Sequence, residues 1–126
     1  MRRNNSKSAH KNCCAVVKVI DKCTCENCGI TCCGEEMMVL PLNSVDAIME
    51  KHLPTYKTVG EEIIVKIDHV MDKEHYIKWI CLISDNEEVT YFFKPNDKLE
   101  VSYKYVKGAS LYAFCNRHGL WKINIK

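Results

Sequence analysis

The sequence predicts an all-β protein, an immunoglobulin-like antiparallel β-sandwich of about seven strands with a small cysteine-rich metal-binding segment at its N-terminal end. Two observations predict the sandwich: short stretches in which apolar and polar residues alternate, and turn residues between those stretches. A third observation, the crowding of cysteines near the start of the chain, predicts the metal-binding segment.

The strand candidates follow one another through the second part of the chain, at residues 54–59, 63–67, 75–83, 88–94, 99–106, 109–115 and 120–125. In the third of these, "HYIKWICLI", period-two spacing places His75, Ile77, Trp79 and Cys81 on one face. Turn residues separate the candidates, at Gly60, Asp85-Asn86, Pro95-Asn96-Asp97 and Gly108.

The part of the chain before the strands is expected to contain one short helix. In "NSVDAIMEKH" (43–52), Asn43 or Ser44 would cap it. We expect three parts in the chain, and the main division lies near residue 40. They are a mobile basic tail at 1–12, a cysteine-rich metal or iron–sulfur segment at 13–40 and the sandwich domain at 41–126.

Composition excludes several classes of function. A net charge of +2, with the positive residues scattered, does not favour nucleic acid as a partner. No apolar run approaches the roughly 20 residues that a membrane-spanning helix needs. The basic start "MRRNNSKSAHKN" is not followed by an apolar stretch, so we expect no secretory signal and a cytoplasmic protein.

The nine cysteines are the most unusual feature of the composition, and seven of them fall between Cys13 and Cys33. In a reducing compartment, clustered thiols more often bind metal than form disulfides. The odd total also argues against a fully paired disulfide framework. The sequence therefore predicts a metal site in this segment.

A second set of metal-binding side chains is spread along the strand region. Four histidines fall at strand ends or in loops, and Cys115 lies three residues before the last of them in "LYAFCNRHGLW"; the histidines are His52, His69, His75 and His118. Because loops at one end of a sandwich converge, we expect these five side chains to meet.

Four imidazoles and one thiolate exceed the ligands of a tetrahedral zinc site. They suit six-coordinate iron with one position left open for a small molecule. A thiolate opposite that position would push electron density through the metal, as in haem enzymes that cleave O–O bonds. The pattern predicts redox chemistry on a small oxygen species.

Three segments carry a family resemblance: "EKHLP" (50–54), "DHVMDKEHYIKWI" (68–80) and "CNRHGLWK" (115–122). They resemble the signature segments of the superoxide reductases, the desulfoferrodoxin and neelaredoxin family, over about residues 37–126. The resemblance implies a β-sandwich with a mononuclear non-haem iron, Fe²⁺ or Fe³⁺, bound by the four histidines in equatorial positions and by Cys115 in the axial position.

The same resemblance assigns roles to two charged residues before the first histidine. It implies that Glu50 caps the open position of the oxidised iron, and that Lys51 attracts superoxide and helps to order a proton-donating water. A cation near an open site raises the local concentration of a small anion, which supports the role of Lys51. Val70 departs from the family pattern, which has proline there, so this loop is expected to be looser.

The cysteine-rich segment resembles the N-terminal module of longer family members, in which C-x-x-C and a later Cys-Cys pair bind a second iron. The candidate ligands are Cys23, Cys25, Cys28, Cys32 and Cys33. Only three residues separate the last two groups, which is short for that module. The spacing favours an iron–sulfur cluster, as in an archaeal variant of the family, over a single iron or zinc, with no metal as a third alternative.

The function expected is one-electron reduction of superoxide to hydrogen peroxide, with electrons from a rubredoxin-like carrier. A dismutase would also have to oxidise superoxide, which an electron-rich thiolate-ligated iron does poorly. The non-enzymatic alternative is an iron or zinc thiolate module for electron transfer or binding, which leaves the histidines and Cys115 without a role. The sequence leaves open whether the chain forms a homo-oligomer.

Overall fold

A computed structural model describes residues 2–4, 15–21, 24, 29–43 and 52–126. The chain divides into two compact units, Met1–Leu40 and Pro41–Lys126. The predicted helix at residues 43–52 falls mainly outside the described residues. In the part of the chain that the structure describes, no helix is long and apolar enough to cross a membrane.

The N-terminal unit contains a four-stranded sheet in the order β2-β1-β4-β3, with strands β1 (Arg2–Asn4), β2 (Val16–Val17), β3 (Thr31–Cys32) and β4 (Glu35–Val39). Strand β1 lies within the stretch expected to be a mobile tail, yet it pairs antiparallel with both β2 and β4. The three residues "RRN" show no alternation of apolar and polar side chains. Their hydrogen-bonding partners are distant in the sequence, so the local pattern did not predict this strand.

A two-residue turn joins β3 to β4. Cys33 and Gly34 both adopt positive φ angles, 53° and 80°. This is the backbone that a tight hairpin of this length favours, and glycine adopts it without steric cost. The neighbouring residue Cys32 pairs with Glu35 across the hairpin.

The second unit is a sandwich of two antiparallel sheets, which confirms the predicted all-β, immunoglobulin-like class. One sheet has the order β11-β10-β7-β8 and the other β5-β6-β9. Its seven strands are β5 (Thr55–Val59), β6 (Glu62–Lys66), β7 (Ile77–Ile83), β8 (Glu88–Phe92), β9 (Glu100–Lys104), β10 (Ser110–Cys115) and β11 (Gly119–Asn124).

The core of the sandwich lies between the two sheets. The strand predicted at 63–67 is confirmed as β6, and its apolar residues Ile63 and Val65 are buried in this core together with the following Ile67. Burying each such side chain stabilises the fold by about 1.5–3 kcal/mol. The buried Tyr103 of β9 donates a hydrogen bond to the Ile80 carbonyl of β7 at 2.9 Å, which links one sheet to the other.

The face predicted for β7 is wrong at Ile77. That residue is in the core together with Ile80 and Leu82, whereas Trp79 stacks on Phe114 with ring centroids 5.4 Å apart. The reason is a register shift in the β7–β10 ladder, in which Phe114 pairs with Trp79 but Cys115 pairs with Ile77. Lys78 is the extra residue of this bulge, and it breaks the period of two.

Candidate metal centre

The five predicted ligands lie at one end of the sandwich. Cys115 is the last residue of β10, and β7, its antiparallel partner, begins two residues after His75. His69 follows the end of β6, and β5, which pairs with β6, begins three residues after His52. Antiparallel pairing therefore places the end of one strand beside the start of its neighbour, and the ligand-bearing loops converge.

The turn between β10 and β11 supplies the fifth ligand, His118. Cys115 and Gly119 are paired residues at the base of this turn. Gly119 has a φ of 80°, a conformation that favours glycine, so the chain reverses directly after His118. Cys115 Sγ and His118 Nδ1 lie 3.9 Å apart as a result.

The four imidazole rings form a square. Going around it from His52 to His69, His75, His118 and back to His52, the ring centroids are 4.7, 4.7, 4.9 and 4.7 Å apart, and adjacent rings are inclined at 78–85°. The diagonal from His52 to His75 is 6.3 Å. One ligand atom from each histidine and from Cys115 lie within 4.8 Å of one another.

Two of the ring nitrogens at this site lack a hydrogen-bond partner, and the other two lie close together. The Nε2 atoms of His69 and His75 are buried and have no hydrogen-bond partner. His52 Nε2 and His118 Nδ1 approach to 2.9 Å. Four nitrogens and a thiol sulfur around one point fit a mononuclear non-haem iron, and they exceed the ligands of a tetrahedral zinc site.

Burial favours the neutral form of two of the imidazoles, those of His69 and His75. It lowers the pKa of His69 to about 4, with the neighbouring histidines adding to the effect and a hydrogen bond to Val70 opposing it. Burial also lowers the pKa of His75, and the charges of His118 and Arg117 contribute. Neutral rings are the form that binds metal, so neither ring loses a proton when a metal binds.

Hydrogen bonds orient two of the ligands. His69 Nδ1 donates to the Val70 carbonyl, which leaves Nε2 as its free ligand atom. Val70 therefore helps to fix the ring, although it lacks the rigid φ of proline. The His118 backbone N–H donates to Cys115 Sγ at 3.4 Å. Burial raises the pKa of the Cys115 thiol, and backbone N–H groups of Arg117 and His118 oppose that shift.

Trp121 supports the site from within the core, a role that the sequence alone did not identify. Its ring stacks on that of His52, with centroids 4.8 Å apart and planes inclined by 26°. The tryptophan is fully buried. The signal in the sequence was its place three residues after His118.

The remaining predicted site residues divide into two groups. Glu50, Lys51, Cys23, Cys25 and Cys28 lie outside the described residues, so their roles stay predictions. Cys32 and Cys33 are described: they sit at the β3–β4 hairpin with their sulfur atoms 4.0 Å apart.

Comparison with known proteins identifies the family. The family model for desulfoferrodoxin matches residues 44–124, a range that contains all five ligands. A desulfoferrodoxin from Syntrophotalea carbinolica is 35% identical over an alignment of 113 residues, and the alignment covers 77% of this chain and 90% of that protein. The chain belongs to the desulfoferrodoxin family.

Other desulfoferrodoxin relatives agree with this result. A desulfoferrodoxin homolog from Archaeoglobus fulgidus is 33% identical over 97 residues, covering 74% of this chain and 78% of that one. The crystal structure of the superoxide reductase from Treponema pallidum aligns with this chain at a TM-score of 0.65 and 31% sequence identity. The alignment covers 77% of this chain and 85% of that one. The family and fold predicted from the sequence are both confirmed.

Proposed function

We propose that this desulfoferrodoxin reduces superoxide to hydrogen peroxide at a mononuclear iron bound by His52, His69, His75, His118 and Cys115. The observation that carries the proposal is the convergence of four imidazoles and one thiol, with their ligand atoms within 4.8 Å of one another. Family membership and the likeness to the Treponema pallidum superoxide reductase support it.

The protein's own residues would hold the iron and control its reactivity. Iron in this site would supply one electron to superoxide, and two protons complete the peroxide. The four neutral imidazoles add no charge to the metal, and the Cys115 thiolate adds one negative charge and electron density. That donor set favours giving an electron over taking one, which favours reduction over dismutation.

Two neighbouring residues would manage the substrate and the protons. In this proposal Lys51 would attract the superoxide anion and order a proton-donating water, and Glu50 would supply a carboxylate ligand when the iron is oxidised. Their support is the motif "EKHLP", which places both directly before His52. Among the described residues, Arg117 adds a positive charge close enough to lower the pKa of His75.

Product stoichiometry tests the proposal. A reductase yields as much hydrogen peroxide as the superoxide it consumes and uses electrons from an added donor. A dismutase yields half as much peroxide and needs no donor. Peroxide should therefore be measured in the presence of a reduced rubredoxin after a defined pulse of superoxide. The half yield without donor consumption would reject the reductase assignment.

We further infer that the segment 13–40 binds a second metal, an iron–sulfur cluster or a single iron, through Cys23, Cys25, Cys28, Cys32 and Cys33. Its role would be to pass electrons from a rubredoxin-like carrier in the cytoplasm, and the sandwich would span 41–126. The hairpin that brings Cys32 and Cys33 together supports this inference. The metal and acid-labile sulfide contents of anaerobically purified protein test it, and size-exclusion chromatography tests for a homo-oligomer.

A further inference from the structure

We propose that Asn116 is a positioning residue that fixes the His75 ligand relative to the Cys115 ligand. The inference rests on the proposed role of both residues as metal ligands. In the sequence, Asn116 stands out only as a turn residue. In the structure its side chain joins the turn after Cys115 to the loop that carries His75.

Three hydrogen bonds make this connection. Asn116 Oδ1 accepts from the Tyr76 backbone N–H at 2.9 Å, and Asn116 Nδ2 donates to the Glu74 carbonyl at 2.9 Å. The Asn116 backbone N–H donates to the Tyr76 carbonyl at 3.2 Å. One amide side chain therefore binds the residues on both sides of His75.

These side-chain hydrogen bonds of Asn116 to Glu74 and Tyr76, called the Asn116 clamp below, lie where the regular β7–β10 ladder ends. The bulge at Lys78 shifts the pairing so that Cys115 lies opposite Ile77, and Asn116 comes next to Tyr76. Beyond this point the strand pairing stops. The Asn116 amide supplies the hydrogen bonds that a continued ladder would have supplied.

The His75 loop is also held by contacts within the loop and by one weak contact to the Cys115 turn. The backbone N–H of Asp72 donates to the His75 carbonyl at 2.9 Å, which closes the loop on itself. An ion pair between Arg117 and Glu74 also joins the two turns, but at 4.0 Å and with both side chains largely exposed it contributes little. The Asn116 amide is thus the stronger link between them.

Asparagine suits this position because the clamp needs one acceptor and one donor on a short side chain. An ionised aspartate offers only acceptors, so its second oxygen would face the Glu74 carbonyl. Residues that orient ligands in this way are typically worth a 10–100-fold change in metal affinity. We expect Asn116→Ala to weaken metal binding by about that factor.

A matched control exists elsewhere in the same unit. Asn43 makes a similar clamp on β11, where its Oδ1 accepts from the Lys122 N–H at 2.9 Å and its Nδ2 lies 3.5 Å from the Lys122 carbonyl. Among the described residues, its side-chain hydrogen bonds go to Lys122, which is neither a ligand nor next to one in the sequence. Asn43→Ala should lower the unfolding temperature of the metal-free protein about as much as Asn116→Ala, and leave metal affinity unchanged.

The test is Co²⁺ titration of the metal-free full-length chain in competition with a chelator. The signal of this site is the part of the Co²⁺ absorption that Cys115→Ser removes. An affinity loss of about 10–100-fold in Asn116→Ala but not in Asn43→Ala supports the inference. Asn116→Ser, which keeps a turn-forming residue but cannot reach both partners, replaces Asn116→Ala if the latter does not fold.

Two results would overturn the inference. Equal Co²⁺ affinity of wild type, Asn43→Ala and the Asn116 variant would show that the clamp does not position the ligand. A wild-type chain without any Cys115-dependent Co²⁺ signal would instead reject the proposed metal centre, and the inference with it. The measurement does not use superoxide, so it separates these two failures.

Discussion

The two units of the chain place their candidate metal ligands in opposite ways. In the sandwich, the five ligands span positions from His52 to His118, and strands of five to seven residues bring them together. In the N-terminal unit, seven cysteines crowd between Cys13 and Cys33, and the described strands β2 and β3 have only two residues each.

This difference indicates whether the folding of each unit depends on metal binding. The sandwich buries a core of its own, so its loops converge whether or not a metal is bound. Strands of two residues bury little apolar surface. The small thiolate site proposed for the N-terminal unit would therefore take much of its folding free energy from the metal.

The largest expected effect comes from the one thiol ligand in the sandwich, Cys115. Cys115→Ser should abolish superoxide reduction and remove the thiolate-to-iron charge-transfer absorption, because an alcohol oxygen does not replace a thiolate. The fold should persist, since Cys115 is one member of a large core. Absorption and stopped-flow kinetics of the iron-loaded variant measure both. Survival of the absorption band would show that Cys115 is not the ligand.

Shortening the chain tests the comparison directly. A chain that begins at Met37 keeps all five ligands and all seven strands of the sandwich, and lacks the clustered cysteines. We expect it to fold, to bind one iron and to react with superoxide in a single turnover, without absorption from a thiolate cluster. Metal analysis and circular dichroism check this outcome. Loss of iron from the shortened chain would mean that the N-terminal unit supports the sandwich site.

Much of the sandwich and its site follows from the sequence. Alternating apolar and polar residues predict the strands of the sandwich, and histidines at strand ends predict the convergence of ligands. The bulge at Lys78 could not be predicted, because it is a property of the register between two strands. The Asn116 clamp depends on that bulge, so it was hidden for the same reason. Strand β1 has no local signal, because distant residues supply its partners.

A smaller effect is expected at Lys51. Removing its charge in Lys51→Ala should slow the bimolecular reaction with superoxide by about tenfold and flatten its dependence on ionic strength. Lys107→Ala is the control, because it removes the same charge from the turn before β10, at the opposite end of the sandwich from Cys115. Rate constants measured over a range of salt concentrations compare the two. Equal slopes for the two variants would rule out local steering by Lys51.

The smallest expected effect concerns the stability of the sandwich alone. Tyr103→Phe removes the buried hydrogen bond from β9 to β7 and leaves the Ile80 carbonyl without that donor. We expect a loss of about 1–2 kcal/mol in the free energy of unfolding, with metal affinity unchanged. Tyr91→Phe is the matched control, because its hydroxyl is more exposed and its contact with the Ser102 carbonyl is 3.5 Å long. Urea unfolding of both metal-free variants measures the difference.

The same pair of variants tests how the stability of the sandwich depends on pH. Burial raises the pKa of Tyr103 above its ordinary value, with smaller contributions from Cys81 and Tyr91. Above about pH 10 the unfolded chain loses this proton while the folded chain keeps it, so stability falls as the pH rises. Tyr103→Phe removes that dependence, and its stability should fall less steeply between pH 9 and 11 than that of wild type or Tyr91→Phe. If the free energy of unfolding of all three proteins depended equally on pH, Tyr103 would ionise as readily in the folded chain as in the unfolded one. Its hydroxyl would then be accessible to water despite its position between the sheets.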